Sequence, residues 1–195
     1  MNLKETASAT SVAQALATQP ELHTARLTLQ QLGPQHIDGV LSALTDEEAM
    51  RSTGTHRKFS RGEVLRHLEG LPGAGDRADF AIFDDAGAYL GEVVLNDLDV
   101  GNLSMNYRIV LAGAAARGRG YGTEAGRAVT EWAFKIGIHR VYLDVYSFNV
   151  AARRSYEKIG FQVEGRARHT LLWNGEWADS TLMAILSTDP LPSIG

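Results

Sequence analysis

The sequence predicts a mixed α/β domain whose central, mostly antiparallel sheet has about seven strands and is flanked by about four helices. Three patterns support this prediction. Strand-like alternation dominates the middle of the chain, helical spacing follows it twice, and a hairpin pattern closes the chain. The 195 residues are 44% hydrophobic and 22% charged, which is enough apolar material for one globular domain with a sizeable core.

The first third of the chain predicts short elements. Residues 1–20 are rich in Ala, Thr, Ser and Gln, and we expect a frayed or weakly helical extension there. Alternating polar and apolar residues at 26–29 predict a first strand. Two short helical stretches follow near 34–50 and 61–70, and Ser60 precedes the second in the S-x-x-E pattern of a capping box.

Three consecutive strands are predicted in the middle of the chain, at residues 80–83, 89–95 and 103–111. The first two are joined by Asp-Asp-Ala-Gly at 84–87, a sequence typical of a tight hairpin turn. In the third, every second residue is apolar, which is the period of a half-buried strand. We therefore expect these strands to be antiparallel neighbours.

The last third alternates between helix and strand. Residues 121–137 have apolar side chains at helical spacing, 141–145 predict a strand, and the next helix ends at Gly160. Asn174-Gly175 lies between two alternating segments and predicts a hairpin with a type I′ turn.

Composition excludes several functional classes. The net charge of −4 argues against a nucleic-acid partner, since such proteins usually carry a basic excess. The chain contains no apolar run of about 18 residues and begins without a secretory h-region, so we expect a cytoplasmic protein without a membrane partner. The absence of cysteine excludes disulfides and a cysteine nucleophile, and the six histidines are not spaced like metal ligands, so no metal site is expected.

A glycine-rich loop lies between the third middle strand and the helix that follows. It consists of Arg117, Gly118, Arg119, Gly120, Tyr121 and Gly122. Glycine lets a backbone approach a ligand closely, and the free N–H groups and dipole of the next helix attract an anion. A dinucleotide fingerprint would need glycine where Thr123 stands, and a P-loop would need Gly-Lys-Ser/Thr. A plain connection without ligand is the alternative for this loop alone.

A second motif follows downstream. The pattern Asn-x-x-Ala-x-x-x-Tyr-x-Lys-x-Gly-Phe is formed by Asn149, Ala152, Tyr156, Lys158, Gly160 and Phe161. Together with the Arg-x-x-Gly-x-Gly pattern of the loop, it makes the sequence resemble the GNAT superfamily of acetyltransferases, and within it the RimJ/RimL-like branch. The resemblance covers about residues 21–187. It leaves 1–20 as an N-terminal extension and 188–195 as a C-terminal tail.

The resemblance implies a sheet that opens into a V near its middle and admits acetyl-CoA, the acetyl donor. The pantetheine arm would pair with the free backbone of Ile109, Val110 and Leu111, and the pyrophosphate would lie on the N–H groups of 117–122. Asn149 would reach the pantetheine amides, although it is also a favourable helix N-cap.

The resemblance further implies N-acetyl transfer by direct attack of a primary amine, from a small molecule or a peptide, on the thioester. Tyr156 is the expected proton donor to the CoA thiolate, and an ordinary buried tyrosine is the alternative. Two carboxylates are candidates for the base. Asp144 interrupts a strand expected to be covered on both faces, and Glu92 lies on a central strand facing the cleft. Salt bridges or water relays are the alternatives for both.

Two other functions stay open at this stage. The chain could bind acyl-CoA as a sensor or structural protein without turnover, or it could bind a nucleotide phosphate through the same loop. The terminal hairpin and the N-terminal extension are candidate surfaces for a homodimer. The sequence does not identify the acceptor.

Overall fold

The computed structural model describes residues 9–192 and contains eight strands and six α-helices in that range. The helices are α1 Ala9–Ala17, α2 Ile37–Thr45, α3 Glu47–Ser52, α4 Arg61–Glu69, α5 Tyr121–Lys135 and α6 Val150–Ile159. The strands are β1 Leu22–His23, β2 Leu27–Gln31, β3 Ala78–Asp84, β4 Tyr89–Asp99, β5 Ser104–Leu111, β6 Arg140–Tyr146, β7 Gln162–Trp173 and β8 Glu176–Leu186. Within residues 9–192, no helix is both long enough and apolar enough to cross a membrane.

All eight strands form one sheet in the order β1-β2-β3-β4-β5-β6-β8-β7. Every neighbouring pair is antiparallel except β5 and β6, which are parallel because α5 crosses between them. The predicted fold class is confirmed. The predicted numbers, about seven strands and four helices, were slightly low. The prediction missed the two-residue strand β1 and the helix α1, and it did not foresee that Asp46 divides one helical stretch into α2 and α3.

The sheet opens between β5 and β6. Their ladder holds three residue pairs only, which are Ser104↔Arg140, Met105↔Val141 and Asn106↔Tyr142. Beyond these pairs β5 stays bound to β4 as far as Leu111↔Gly91, while β6 stays bound to β8 as far as Tyr146↔Ser180. The expected V-shaped opening is therefore present, with unpaired backbone on both of its inner edges.

The sheet is covered on both faces. Helices α1, α5 and α6 contribute to the larger core, whose central side chains include Phe80, Tyr107, Val129 and Ile159. Helices α2 and α4 cover the opposite face of β2, β3 and β4 over a smaller core. Apolar stripes on the helices and alternation on the strands produce this three-layer arrangement.

The N-terminal extension, expected to be frayed or weakly helical, packs more firmly than that. Residues Ala9–Ala17 form a helix on the larger core, and the rest of the expectation, on residues 1–8, lies outside the described residues. Val12 and Leu16 lie one turn apart on its inner face and are both fully buried. Their spacing of four residues is the sequence signal for this helix, and the surrounding Ala, Thr and Gln residues obscured it.

The local signals at three other positions are confirmed. The Ser60 hydroxyl accepts from Glu63 N while the Glu63 carboxylate accepts from Ser60 N, which is the reciprocal pattern of a capping box. Gly160 ends α6 in the left-handed region with φ 118°. Asn174 and Gly175 both have positive φ, as a type I′ turn requires.

The packing of α1 gives a stability prediction. Leu16→Ala should lower the free energy of unfolding by about 2–5 kcal/mol, because it removes a fully buried side chain from the core. Urea denaturation followed by circular dichroism measures this change. The matched control is Gln14→Ala, which alters an exposed position on the same helix and should change stability by less than about 0.5 kcal/mol. Equal, small effects of the two variants would mean that α1 does not belong to the cooperative fold.

Candidate active site

The opening between β5 and β6 contains a cavity of about 450 Å³. Its walls are the C-terminal half of β5, the C-terminal half of β6, the N-terminal turn of α5, one side of α6 and one side of α3. The residues predicted to bind the pantetheine arm, Ile109, Val110 and Leu111, all line it. Their edge faces the opening without a strand partner, so its outward-pointing peptide groups are available to a ligand, except the Leu111 carbonyl, which accepts a hydrogen bond from Arg117 at 3.2 Å.

The glycine loop forms the second wall of this cavity. Gly118 and Gly120 have φ of 72° and 82°, a backbone conformation that glycine adopts without steric cost. The first bond of α5 runs from Glu124 N to Gly120 O at 3.0 Å, so the preceding N–H groups have no acceptor within the helix. These groups and the helix dipole make the loop a site for a phosphate group.

The side chains of the two arginines in the loop make different contacts. Arg119 is exposed, and its guanidinium lies 4.9 Å from the ring centre of Tyr121. The Tyr121 ring is buried, so only its backbone can contact a ligand in the opening. The Arg117 guanidinium lies at the edge of the cavity but donates to the carboxylates of Asp46, at 2.6 Å, and Glu48, at 2.7 Å. Arg117 therefore ties the loop to α3, a contact that the sequence did not predict.

Asp46 is the centre of that connection. Its carboxylate accepts hydrogen bonds from Ala49 N at the start of α3, from Gly113 N and from Arg117. Burial by itself would raise the pKa of Asp46, but these bonds outweigh burial and hold the pKa below its ordinary value. One carboxylate thus caps a helix and fixes both ends of the segment 113–117, which leads into the glycine loop.

Asn149 caps the start of α6 and Tyr156 lies on that helix, and both line the same cavity. The Asn149 side-chain oxygen accepts from Ala152 N at 3.1 Å, so the N-cap interpretation is confirmed, and its amide nitrogen is not used by that bond. Tyr156 is buried, with its ring edge-to-face against Tyr107 at 5.8 Å. Burial, and next the negative charge of Asp144, raise the pKa of Tyr156 well above its ordinary value, so its hydroxyl stays protonated.

Asp144 does not have the environment that we expected. The prediction of a carboxylate buried in a strand covered on both faces was wrong, because β6 leaves β5 before this position and the opening exposes its side chain. Asp144 lines the cavity, and its carboxylate accepts a hydrogen bond from the Ser180 hydroxyl at 2.9 Å. Ser180 is itself within 2.7 Å of the Thr170 hydroxyl, so Asp144 is held in a chain of polar contacts.

Glu92 lines a second cavity, of about 230 Å³, between the sheet and helices α2, α3 and α4. The two cavities share wall residues, among them Thr53 and Val110, so they are adjacent. Burial, and next the charge of Asp79, raise the pKa of Glu92 to about 7, while Arg108 and Arg77 oppose the rise. No hydrogen bond or ion pair within residues 9–192 involves its carboxylate.

The site therefore contains most of the residues that the sequence indicated and some that it did not. Asp46, Thr53 and Arg108 were missed. For Arg108 a signal existed, because it is a charged residue between two apolar positions of a strand predicted to lie in the centre of the sheet. No cluster of three or more His, Asp or Glu side chains suited to a metal ion occurs among the described residues.

A sheet opened beside a helix N-terminus that favours an anion, with a buried phenol at the opening, is the arrangement that the resemblance to acetyltransferases led us to expect. The chain belongs to the acetyltransferase (GNAT) domain family, whose model matches residues 26–162. Members of this family are acyltransferases that use acetyl-CoA.

Curated relatives agree with this assignment. The probable N-acetyltransferase YjcK of Bacillus subtilis is 36% identical over 101 residues, covering 51% of this chain and 56% of the relative. The FsC-acetyl coenzyme A-N(2)-transacetylase of Aspergillus fumigatus is 28% identical over 71% of this chain and 63% of the relative. The spermidine N(1)-acetyltransferase of Escherichia coli is 31% identical over 35% of this chain and 38% of the relative. The chain thus spans less than two thirds of the length of these relatives.

Solved structures share the fold. The spermidine N-acetyltransferase from Vibrio cholerae in complex with CoA and spermine superposes with a TM-score of 0.77 at 21% identity, covering 85% of this chain and 98% of that one. A GNAT-family acetyltransferase from Bacillus anthracis gives 0.76 at 21% identity, covering 87% of this chain and all of that one. At this level of identity the likeness concerns the fold alone.

The Asp46 connection gives a second stability prediction. Asp46→Ala should lower the free energy of unfolding by about 1–3 kcal/mol, because it removes a helix cap and an enclosed charge-assisted bond together. Glu48→Ala removes the other partner of Arg117. Because the Glu48 side chain is 72% exposed, this change should lower the free energy of unfolding by less than about 1 kcal/mol. Chemical denaturation of both variants measures the difference. If Glu48→Ala costs as much as Asp46→Ala, then Asp46 is not the centre of the connection.

Proposed function

We propose that this protein is an N-acetyltransferase that moves the acetyl group of acetyl-CoA to a primary amine by direct attack, within the RimJ/RimL-like branch of its family. The observation that carries the proposal is the opening between β5 and β6, where free strand backbone, a phosphate-binding loop and the protonated Tyr156 line one cavity. Bound acetyl-CoA supplies the thioester and a thiolate leaving group. The protein residues orient it and manage the protons.

The binding of acetyl-CoA is assigned to the elements around the opening. The unpaired edge at 109–111 offers peptide groups to the pantetheine arm, as a neighbouring strand would receive them. The N–H groups at 118–122 receive the pyrophosphate at the start of α5, and Arg117 keeps that loop in place through α3. Asn149 contributes its amide nitrogen, since its side-chain oxygen already caps α6.

Tyr156 serves as the proton donor to the sulfur. As the bond from nitrogen to the acetyl carbon forms, the bond from that carbon to sulfur breaks, and the thiolate takes the phenol proton. The excess proton of the new amide nitrogen replaces the one that the phenol gave. A raised pKa suits this role, because a phenol that ionised near neutral pH would have no proton to give. The charge of Asp144 contributes to keeping Tyr156 protonated.

Glu92 is the base in our proposal. An amine is mostly protonated near neutral pH and must lose a proton before attack. Glu92 has no partner for its carboxylate, and its pKa of about 7 matches the task of accepting a proton near neutrality. Asp144 is a weaker candidate, since it is exposed and already accepts a hydrogen bond from Ser180.

The acceptor is a small or peptidic primary amine. The relatives named for spermidine acetylation, and the fold neighbour that holds spermine, support a small amine for this chain as well. A homodimer and a cytoplasmic location stay predictions from the sequence.

Removal of the Tyr156 hydroxyl tests the reaction. Tyr156→Phe should lower kcat by about 100-fold or more, the range for loss of a general acid, and should leave the affinity for acetyl-CoA within about threefold. Release of free CoA measures kcat over an amine panel, and calorimetry measures binding. Unchanged kcat in the variant would remove Tyr156 from the chemistry. Binding of acetyl-CoA without turnover of any amine by the wild-type protein would favour the silent acyl-CoA-binding alternative.

The base assignment gives a pH prediction. At a saturating amine, kcat should rise with pH through about 7 and then level off, because only the ionised Glu92 carboxylate can accept the proton. Glu92→Gln should lower kcat at all pH values and abolish this rise. Asp144→Asn is the comparison variant and should retain the rise. If Asp144→Asn abolishes it and Glu92→Gln retains it, then Asp144 is the base.

A further inference from the structure

Arg108 lies where an arginine is unusual, on β5, a strand with a neighbour on each side in the middle of the sheet. The flanking positions Tyr107 and Ile109 point to the larger core, so Arg108 points to the opposite face, under α2 and α3. It lines the 230 Å³ cavity and remains accessible there. Because the side chain is exposed, its charge stays hydrated and does not require a protein partner.

No such partner is present for Arg108. Within the described chain its guanidinium forms no ion pair and no hydrogen bond. Another arginine that lines this cavity, Arg77, provides a direct contrast. Its guanidinium holds Asp79 through two bonds of 2.7 Å each, the two-pronged geometry that arginine favours with a carboxylate. The cavity thus contains one satisfied arginine and one free arginine.

The free arginine faces a free carboxylate. Glu92 pairs across the ladder with Val110, and Val94 pairs with Arg108, so Glu92 and Arg108 are diagonal neighbours on one face of the sheet. Both line the same cavity, and the charge of Arg108 acts on Glu92, yet the two side chains do not form an ion pair. Two opposite charges that are close but form no ion pair can each bind a group of a third molecule. That molecule would carry a cation for Glu92 and an anion for Arg108.

We infer that the acceptor is an α-amino acid, with its amine at Glu92 and its carboxylate on Arg108. This inference rests on the proposed function and names the acceptor class of the same site. Guanidinium groups bind carboxylates with two parallel hydrogen bonds, which would fix the amine in one orientation beside the opening. The hydroxyls of Thr53 and Thr55, 2.8 Å apart on the cavity wall, offer further polar contacts. A volume of about 230 Å³ suits a small acceptor.

The charges also disfavour other acceptors. A polyamine carries only positive charges, so it offers no group that could pair with Arg108, and the charge of Arg108 would repel its ammonium groups. A peptide N-terminus presents a neutral amide in place of the carboxylate and would leave Arg108 unpaired. This chain is therefore expected to differ in acceptor from the relatives named for spermidine.

Matched amines test the inference. We would measure CoA release with the common L-amino acids, each against its own α-amide, and with L-ornithine against putrescine, which lacks only the carboxylate. The best amino acid should exceed its amide in kcat/KM by about tenfold or more. Arg108→Gln should remove this preference mainly through KM, and Arg108→Lys should restore part of it. The control Arg168→Gln, which removes an exposed arginine from β7, should leave the preference unchanged.

Binding gives a readout that is independent of turnover. Calorimetry on the CoA-saturated protein should detect the best amino acid in the wild type and in Arg168→Gln, and about tenfold weaker binding or none in Arg108→Gln. Preference for putrescine or for amides, or equal binding by the wild type and Arg108→Gln, would overturn the inference. If the wild type binds amino acids through Arg108 but transfers no acetyl group, the proposed function fails, and only the recognition of amino acids by Arg108 stands.

Discussion

The short ladder between β5 and β6 is the constraint on which the rest of the site depends. After three residue pairs, each of these strands continues with its outer neighbour, β4 for one and β8 for the other. The separation leaves peptide groups of two central strands without partners, and an unpaired backbone group in a protein interior is costly. The fold tolerates that cost only because the gap opens to solvent and to a ligand that can take the place of a strand.

The start of α5 lies at this separation for a physical reason. The chain must cross from β5 to the parallel β6, and a parallel crossover normally uses a helix. That helix begins where the strands diverge, so its free N–H groups point into the opening. At Gly122 the backbone comes close enough that an added Cβ would lie 3.5 Å from a methyl group of Leu111. One topological feature therefore brings together the strand edge and the anion site.

The sequence predicted the fold and the local geometry of its two motifs better than the surroundings of Asp144 and Glu92, and the difference has a physical origin. The glycine loop and the motif from Asn149 to Phe161 are local, so their spacing fixes their geometry, as the Asn149 cap and the Gly160 helix end illustrate. The environments of Asp144 and Glu92 depend on strands and helices distant in sequence. The expectation that this strand is covered on both faces predicted that Asp144 would be buried, and it could not foresee that β6 leaves its neighbour before that residue.

The same limit applies to contacts between elements. The bond from Arg117 to Asp46 joins residues 71 positions apart, and neither residue carries a local signal for the other. In our proposal the bond between Arg117 and Asp46 also affects function. It links the loop that receives the pyrophosphate to α3, and the inner side of α3 forms a wall of the cavity that holds Glu92 and Arg108. Because Thr53 and Val110 belong to both cavities, a shift of α3 would alter both together. In our proposal the donor and acceptor sites thus share a wall, which would hold the amine and the thioester in a fixed relation.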